Sequence, residues 1–387
     1  MWLNVFRYCA FLLMLGSFGY YLLAIYAARR FFRSRPSPPT GFTPPVSILK
    51  PVRGLDREAY ENYASFCKQD YSEFEILFCI LGEDDPAFPV LRRIIEDFPQ
   101  CRIRLLIGAE QLGTCNKVNK LVRLAREARH DLLVVSDSDV RVSPGYLRGV
   151  AAPFANPQVG GVTCLYRGLT DGSLGSELEA VGNTSDFAAG VICARLTTGV
   201  NFALGATMAT TKKHLSEIGG FEALVNHFAD DYELGHRIAA HGHRVELLAD
   251  PVCVVYPRQS LGESFAHQVR WTLAMRLADP PKGLGLIFTH GLPWALLAAA
   301  VAPRWELGLL CLLMYFLLRS AMAWTVGVWG LRDPLLRRKM WMVPLRDAFS
   351  FIAWLASFFK RRIKWRGSEF YVRDKLLVPA GPRPARG

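Results

Sequence analysis

The chain has 387 residues, 51% of them hydrophobic, and a formal charge of +12 that lies beside its apolar ends, in "RRFFRSR" (29–35), "RDPLLRRK" (332–339) and "KRRIKWR" (360–366). A chain this long is not limited by core size, and basic runs flanking apolar segments face a membrane, whereas a nucleic-acid binder would carry a basic stripe on its polar middle. Nine scattered cysteines, an odd total with no CxxC pair, read as small buried residues in a reducing compartment and indicate no zinc site.

The first predicted element is apolar. Cys9 to Ala28 contains no charge, and about 20 residues suffice to cross a bilayer core as a helix. A cleaved signal peptide would have a shorter apolar core preceded by basic residues. Here the arginines follow, so an uncleaved anchor with its C-terminal end in the cytoplasm is expected. "RPSPPTGFTPP" (35–45) then makes a stiff, proline-rich linker.

From residue 46 to 276 strand-like and helix-like stretches alternate. "VSILK" (46–50), "FEILFCIL" (74–81), "RIRLLI" (102–107) and "LLVVS" (132–136) are strands; "PVLRRIIEDF" (89–98) and "KVNKLVRLARE" (117–127) are helices between them. That repetition predicts a parallel sheet with helices on both faces, whose ligands collect beyond the carboxyl ends of the strands.

"LLVVSDSDVRV" ends such a strand on Asp137 and Asp139. On an extended chain, two residues apart means the same side. Paired carboxylates repel unless a cation sits between them, and a hard divalent ion bound to phosphates would serve. The ordinary alternative is a turn, which Ser and Asp favour.

No GxxxxGK[ST] is present; "LGTCNKVNK" (112–120) has the wrong spacing. Lys117 nevertheless opens a predicted helix, where its charge and the free amides suit a diphosphate. In "NHFADDYELGHRIAAHGHRVEL" (226–247), Asp230 and Asp231 begin a helix that Gly242 ends, as helix-capping acids also would. "FAHQVRWTLAMR" (265–276) puts His267 and Arg270 on one helix face, with Trp271 beside them. The apolar run 187–210 reads as a core helix and strand, with a greasy acceptor wall or a membrane-dipping segment as the alternative.

After Arg276 the chain turns apolar again. Leu284 to Val301 and Leu307 to Val328 predict a membrane hairpin joined by "APRWE". The run Val343 to Phe359 contains Arg346 and Asp347, which disagree with a simple crossing, so it is expected to be re-entrant or interfacial. Three or four spans result.

In this order, "ILKPVRGLD", "EDDPA", "NKVNKL", "SDSDVRV", "GATMATTKKHLSEIGGF", "ADDYELG" and "HQVRW" resemble the ceramide glucosyltransferase-like branch of the family-2 glycosyltransferases. Within that branch they look most like bacterial hopanoid biosynthesis-associated glycosyltransferases. The resemblance implies an α/β GT-A fold, a Rossmann-like mixed sheet with helices on both faces, plus transmembrane helices at both ends. It implies an anchor over 1–34, the linker over 35–45, a catalytic domain over 46–276, a membrane region over 277–378 and a tail over 379–387.

The implied activity is inverting transfer of glucose or N-acetylglucosamine from a UDP-sugar to a hopanoid or ceramide hydroxyl. The enzyme would be integral to a bacterial inner membrane, with its catalytic domain cytoplasmic and no nucleic-acid partner. By the same resemblance Glu83 or Asp84 holds the uracil and ribose end. Asp137 and Asp139 hold Mg²⁺ or Mn²⁺, Asp137 and Lys117 meet the diphosphate, and Asp231 is the general base beside Asp230. His267, Arg270 and Trp271 occupy the (Q/R)xxRW motif, with histidine replacing its first residue. A processive polysaccharide synthase and a non-catalytic sugar-nucleotide binder are the alternatives.

Overall fold

The computed structural model describes residues 2–34, 41–227, 229–278, 285–360, 362–365, 368–373 and 376–379. Most of the expected linker (35–40) and nearly all of the expected tail (380–387) lie outside the described residues. The first two-thirds of the chain runs α1 (Trp2–Arg33), β1 (Val46–Pro51), α2 (Ala59–Cys67), β2 (Phe74–Ile80), α3 (Phe88–Asp97), β3 (Arg102–Ile107), α4 (Asn116–Glu127), β4 (Leu132–Val135), β5 (Val140–Arg141), α5 (Tyr146–Ala151) and β6 (Val159–Leu169). It continues with α6 (Leu174–Gly182), α7 (Ala188–Thr198), β7 (Met208–Thr211), α8 (Lys212–Glu217), α9 (Asp230–Ala240), β8 (Arg244–Val255) and α10 (Leu261–Ala278).

Two compact units result. The sheet unit comprises Pro36–Leu169, Thr198–Pro257 and Arg362–Gly387. Its eight strands are ordered β3-β2-β1-β4-β7-β6-β8-β5. The four strands read from the sequence are parallel neighbours, with Val46 opposite both Phe74 and Leu132. Their near-continuous apolar runs suit strands buried on both faces, and β1, β2 and β4 are buried accordingly. β7 pairs antiparallel with both β4 and β6, β6 then pairs parallel with β8, and β8 pairs antiparallel with β5, so the sheet is mixed rather than parallel throughout.

The parallel order reverses direction between β1 and β4, the switch point at which such sheets open a crevice. Leu49, Leu77, Leu133, Val135, Met208 and Leu234 belong to one core beneath it. All nine cysteines are unpaired. Within the expected membrane region and the first residue of the expected tail, the strands Arg362–Trp365, Ser368–Arg373 and Leu376–Pro379 pair as a three-stranded antiparallel sheet.

The helical unit comprises Met1–Arg35, Thr170–Thr197 and Arg258–Arg361. The run 187–210 is thus divided. Its helix α7 packs with the apolar helices, where Arg195 lies 5.0 Å over the Phe31 ring, while its strand β7 joins the sheet.

Among the described residues three helices are long and apolar enough to cross a membrane: Trp2–Arg33, Trp305–Gly330 and Met342–Phe359. The expectation of a full first arm of the hairpin is corrected here. Among the described residues of the 284–301 run, the α-helix of ten residues or more is Gly291–Ala300, after a short 3₁₀ turn at Leu286–Thr289. Pro293 is tolerated only in a helix's first turn, so the helix cannot begin much earlier, and at 1.5 Å per residue it spans about half a bilayer core.

The 343–359 run, by contrast, is one continuous 18-residue helix. Its charges do not oppose this because they are turned inward. Asp347 accepts from Arg319 at 2.7 Å and from Tyr315 at 2.8 Å, and Arg319 also donates to the Ser185 carbonyl at 2.9 Å. Leu12, Leu15 and Leu22 on α1, Leu313 and Leu317 on Trp305–Gly330, and Ile352 on Met342–Phe359 face outward.

Candidate active site

The acidic pocket is built where β4 ends. After Val135 the chain leaves the sheet through Ser136 and turns, the Val140 amide donating to the Asp137 carbonyl at 3.3 Å. The turn alternative is therefore part of the answer, and Asp137 and Asp139 are not successive residues of an extended strand. The Val255 amide donates to the Asp139 carbonyl at 2.9 Å, and Val140 pairs with Val254, so β8 holds the turn from the other side.

Lys50, from the end of β1, sits across the switch point. It is fully buried, its Nζ donates to the Asp137 carbonyl at 2.9 Å, and it lies 3.7 Å from the centre of the Phe66 ring. Burial pulls this ammonium down to about 7, against the pull of Asp137, Asp139 and Asp56. The sequence reading missed Lys50, because a lysine in an otherwise apolar strand has no motif of its own. Its position inside a fully buried stretch was the available signal.

Lys117 reaches the same place from the first turn of α4. Its Nζ is 2.9 Å from Asp137 Oδ1 and 3.2 Å from Asp230 Oδ2. Burial alone would lower this lysine, but Asp137, Asp230 and Asp231 outweigh it and hold it well above the ordinary value. Asn119 fixes the loop ahead of α4, accepting from the Gly113 amide at 3.1 Å and donating to the Gly113 carbonyl at 2.9 Å. Lys120 donates to the Val52 carbonyl, which ties α4 to the end of β1.

Asp230 and Asp231 open α9, as their sequence position predicts. Helix α9 seats against the segment before Gly205 because Gly235 has no side chain: a Cβ there would lie 2.1 Å from the Phe202 carbonyl carbon. The Ala203 amide donates to the Asp231 carbonyl at 3.3 Å, and the Tyr232 amide donates to Asp231 Oδ1 at 2.8 Å. Burial, then the charge of Asp230, pushes the Asp231 carboxyl up to about 6 despite Lys117.

Gly205 lines the floor of this cluster. A Cβ on it would stand 3.2 Å from Asp137 Oδ2, 3.2 Å from Asp231 Oδ2 and 3.7 Å from Lys117 Nζ. A side chain here would crowd both carboxylates.

Four of the expected residues, Lys117, Asp137, Asp230 and Asp231, thus converge. Asp139 is one residue beyond, raised to about 7 by burial, Asp137 and Asp56 against Lys50. The pair Asp137 and Asp139 offers only carboxylate oxygens, the donors that hard divalent cations take, and a cation would relieve the repulsion that raises Asp139. The residues fit Mg²⁺ or Mn²⁺.

Glu83 and Asp84 lie on the exposed loop after β2. The carboxylate fixed in that loop is Asp85, which accepts from the Gly54 amide at 3.0 and 3.1 Å and from the Ala87 amide at 3.0 Å. His267, Arg270 and Trp271 lie on α10 in the helical unit. There His267 Nδ1 is 2.5 Å from Glu179 Oε1, and the Trp271 ring meets Phe187 edge-on with centroids 5.6 Å apart.

Among solved structures the fold is similar to the mannosyltransferase PcManGT from Pyrobaculum calidifontis, in complex with GDP-Man and Mn²⁺, with a TM-score of 0.56 and 19% identity over 92% of this chain and 99% of that one. The fold is GT-A-like. Ceramide glucosyltransferase 1 from Caenorhabditis elegans is 27% identical over 251 residues, 62% of this chain and 51% of the relative. Ceramide glucosyltransferase from Gibberella zeae is 32% identical over 151 residues, 35% of this chain and 29% of the relative. The chain spans about half the length of the first of these relatives. Glycosyl transferase family 21 matches residues 9–378, almost the whole chain, and the chain belongs to that family.

Proposed function

We propose that the chain is a membrane-bound, inverting glycosyltransferase that moves a hexose from a UDP-sugar to a hydroxyl of a lipid. The observation that carries this reading is the convergence of Lys117, Asp137 and Asp231 around Gly205, supported by family membership. The acceptor is proposed to be a lipid because three helices can hold the chain in a bilayer. The relatives are named for ceramide as acceptor. Glucose or N-acetylglucosamine as the sugar, and hopanoid or ceramide as the lipid, are carried by resemblance.

The chemistry assigned to the residues is a single displacement. Asp231 takes the proton of the acceptor hydroxyl, the freed oxygen bonds to the anomeric carbon, and the bond from that carbon to UDP breaks with its electrons leaving on UDP. A carboxyl raised to about 6 is ionised at neutral pH yet basic enough to serve. Lys117 and the first amides of α4 receive charge developing on the diphosphate. Asp137 and Asp139 would hold Mg²⁺ or Mn²⁺, which when bound neutralises the leaving diphosphate. Glu83 or Asp84 is proposed for the uracil and ribose end.

Arg29, Arg30 and Arg33 lie at the C-terminal end of α1, after its uncharged stretch, and the positive-inside rule then favours a cytoplasmic catalytic domain. A bacterial inner membrane is the proposed location.

The purified chain, given UDP-glucose or UDP-N-acetylglucosamine, Mg²⁺ or Mn²⁺ and a lipid extract, should release UDP and yield a lipid carrying one sugar. Asp231→Ala should do neither. Equal turnover by both proteins would overturn the reading, and a labelled polymer instead of a glycolipid would replace it with a polysaccharide synthase.

A further inference from the structure

A second cluster of ligating side chains lies in the sheet unit and shares no residue with the acidic pocket. His214 and Glu217 are three apart on α8 and therefore on one side of its turn. Thr211 caps that helix, its Oγ1 accepting from the His214 amide at 3.2 Å and standing 2.8 Å from His214 Nδ1. His243 arrives from the other direction, on the turn between α9 and β8 that Gly242 makes with φ +86°.

There His243 Nε2 is 2.6 Å from Glu217 Oε2, and its ring centre is 4.3 Å from that of His214. One ligating atom from each of the three residues lies within 4.8 Å of the other two. Gly160 makes the approach feasible, since a Cβ on it would be 2.6 Å from His243 Cβ. His214 is buried, His243 half-buried and Glu217 exposed, so the cluster has a closed inner side and an outer side open to water.

We propose that His214, Glu217 and His243 bind one zinc-class transition-metal ion, with water as the fourth ligand. Two imidazole nitrogens and one carboxylate oxygen suit a borderline ion such as Zn²⁺ and not the hard cations for which the all-oxygen pair Asp137 and Asp139 is suited. Entry of an ion replaces the hydrogen bond between His243 and Glu217. Ligand bonds of about 2 Å put tetrahedral ligand atoms roughly 3.3 Å apart, so the exposed Glu217 carboxylate needs to withdraw by less than ~1 Å. With Nδ1–H donated to Thr211 Oγ1, His214 keeps Nε2 for the ion, the outer-shell arrangement that fixes a ligating ring.

Such an ion would join α8, which directly follows β7, to the turn after α9. The chain just before β7 carries Gly205, and α9 begins with Asp230 and Asp231. The ion therefore ties together the far ends of two elements that shape the acidic pocket.

The test uses the full chain in detergent, without a histidine tag, stripped with a chelator and titrated with Zn²⁺ by calorimetry and with Co²⁺ by visible absorption. One saturable Zn²⁺ per chain is expected, together with a rise in the unfolding temperature and the Co²⁺ bands of a four-coordinate nitrogen–oxygen site. Asp137→Asn with Asp139→Asn should retain this binding, as should His241→Ala at the exposed neighbouring histidine. His243→Ala and Glu217→Gln should each weaken it by about 10-fold or more. Glu217 is exposed, so its variant removes a ligand without opening the core. Absence of saturable Zn²⁺ uptake, or uptake that both variants leave unchanged, would overturn the proposal and leave a surface His–Glu ion pair.

Discussion

Asp137 and Asp231, far apart in the chain, present their Oδ2 atoms to one point, each 3.2 Å from where a Cβ on Gly205 would stand. The first ends a buried strand and the second opens a helix. What they share is a close approach to one residue without a side chain, beside a lysine bonded to the first of them.

Gly205→Ala tests that approach directly. The added methyl would press on two carboxylates and approach Lys117 Nζ at 3.7 Å. Displacing reacting groups by fractions of an ångström to 1 Å costs up to about 100-fold in rate. Turnover should fall by about 10- to 100-fold while the far-UV spectrum stays that of the parent. Wild-type turnover in a folded Gly205→Ala protein would mean that substrate does not use this space.

The pH profile follows from Asp231. A base must be deprotonated to act, so activity should be full above its value of about 6 and fall roughly tenfold per unit below it. Asp230 helps to raise Asp231 and Lys117 lowers it. The acid limb should therefore move to lower pH in Asp230→Asn and to higher pH in Lys117→Met, as read from kcat over a buffer series. Movement of both limbs in the same direction is incompatible with Asp231 as the titrating base.

Metal dependence is expected to follow the all-oxygen pair. Chelation should abolish UDP release, and Mg²⁺ or Mn²⁺ should restore it. Asp139→Asn removes one donor and should raise the metal concentration needed for half activity by about 10-fold or more, in keeping with hard-cation sites built from few carboxylates. Full activity after exhaustive chelation would exclude this role.

The helical unit makes a separate prediction about stability. Arg319 and Asp347 are both buried and bonded at 2.7 Å. Removing one partner strands a buried charge, which costs about 3–5 kcal/mol. Asp347→Leu should lower the unfolding temperature in detergent markedly, and Arg319→Met combined with it should recover much of the loss. A double variant as unstable as the sum of the single ones would show that the pair is not acting as a unit.

Local elements were readable because strands buried on both faces are continuous apolar runs and helices repeat their apolar residues. β1, β2, β3, β4, α3 and α4 lie where those patterns predict. Asp137, Asp230 and Asp231 were legible for a related reason: an acid placed at a strand end or helix start stands out from its local background. Their convergence with Lys117 was not legible without a resemblance, since it depends on the long crossover from β4 to α9.

The sequence by itself determined the alternation that builds a parallel half-sheet, the apolar segments at either end, and the acidic positions that punctuate the middle, all of which rest on interactions between near neighbours. Only the tertiary structure decided that Gly205 is a floor, that Lys50 lies buried behind Asp137, that the Arg346–Asp347 run is one continuous helix with Asp347 paired to Arg319, and that His214 and Glu217 meet His243. These are encounters between residues distant along the chain, and a pattern of local periods carries no information about which distant side chains the packed fold will bring within a few ångströms.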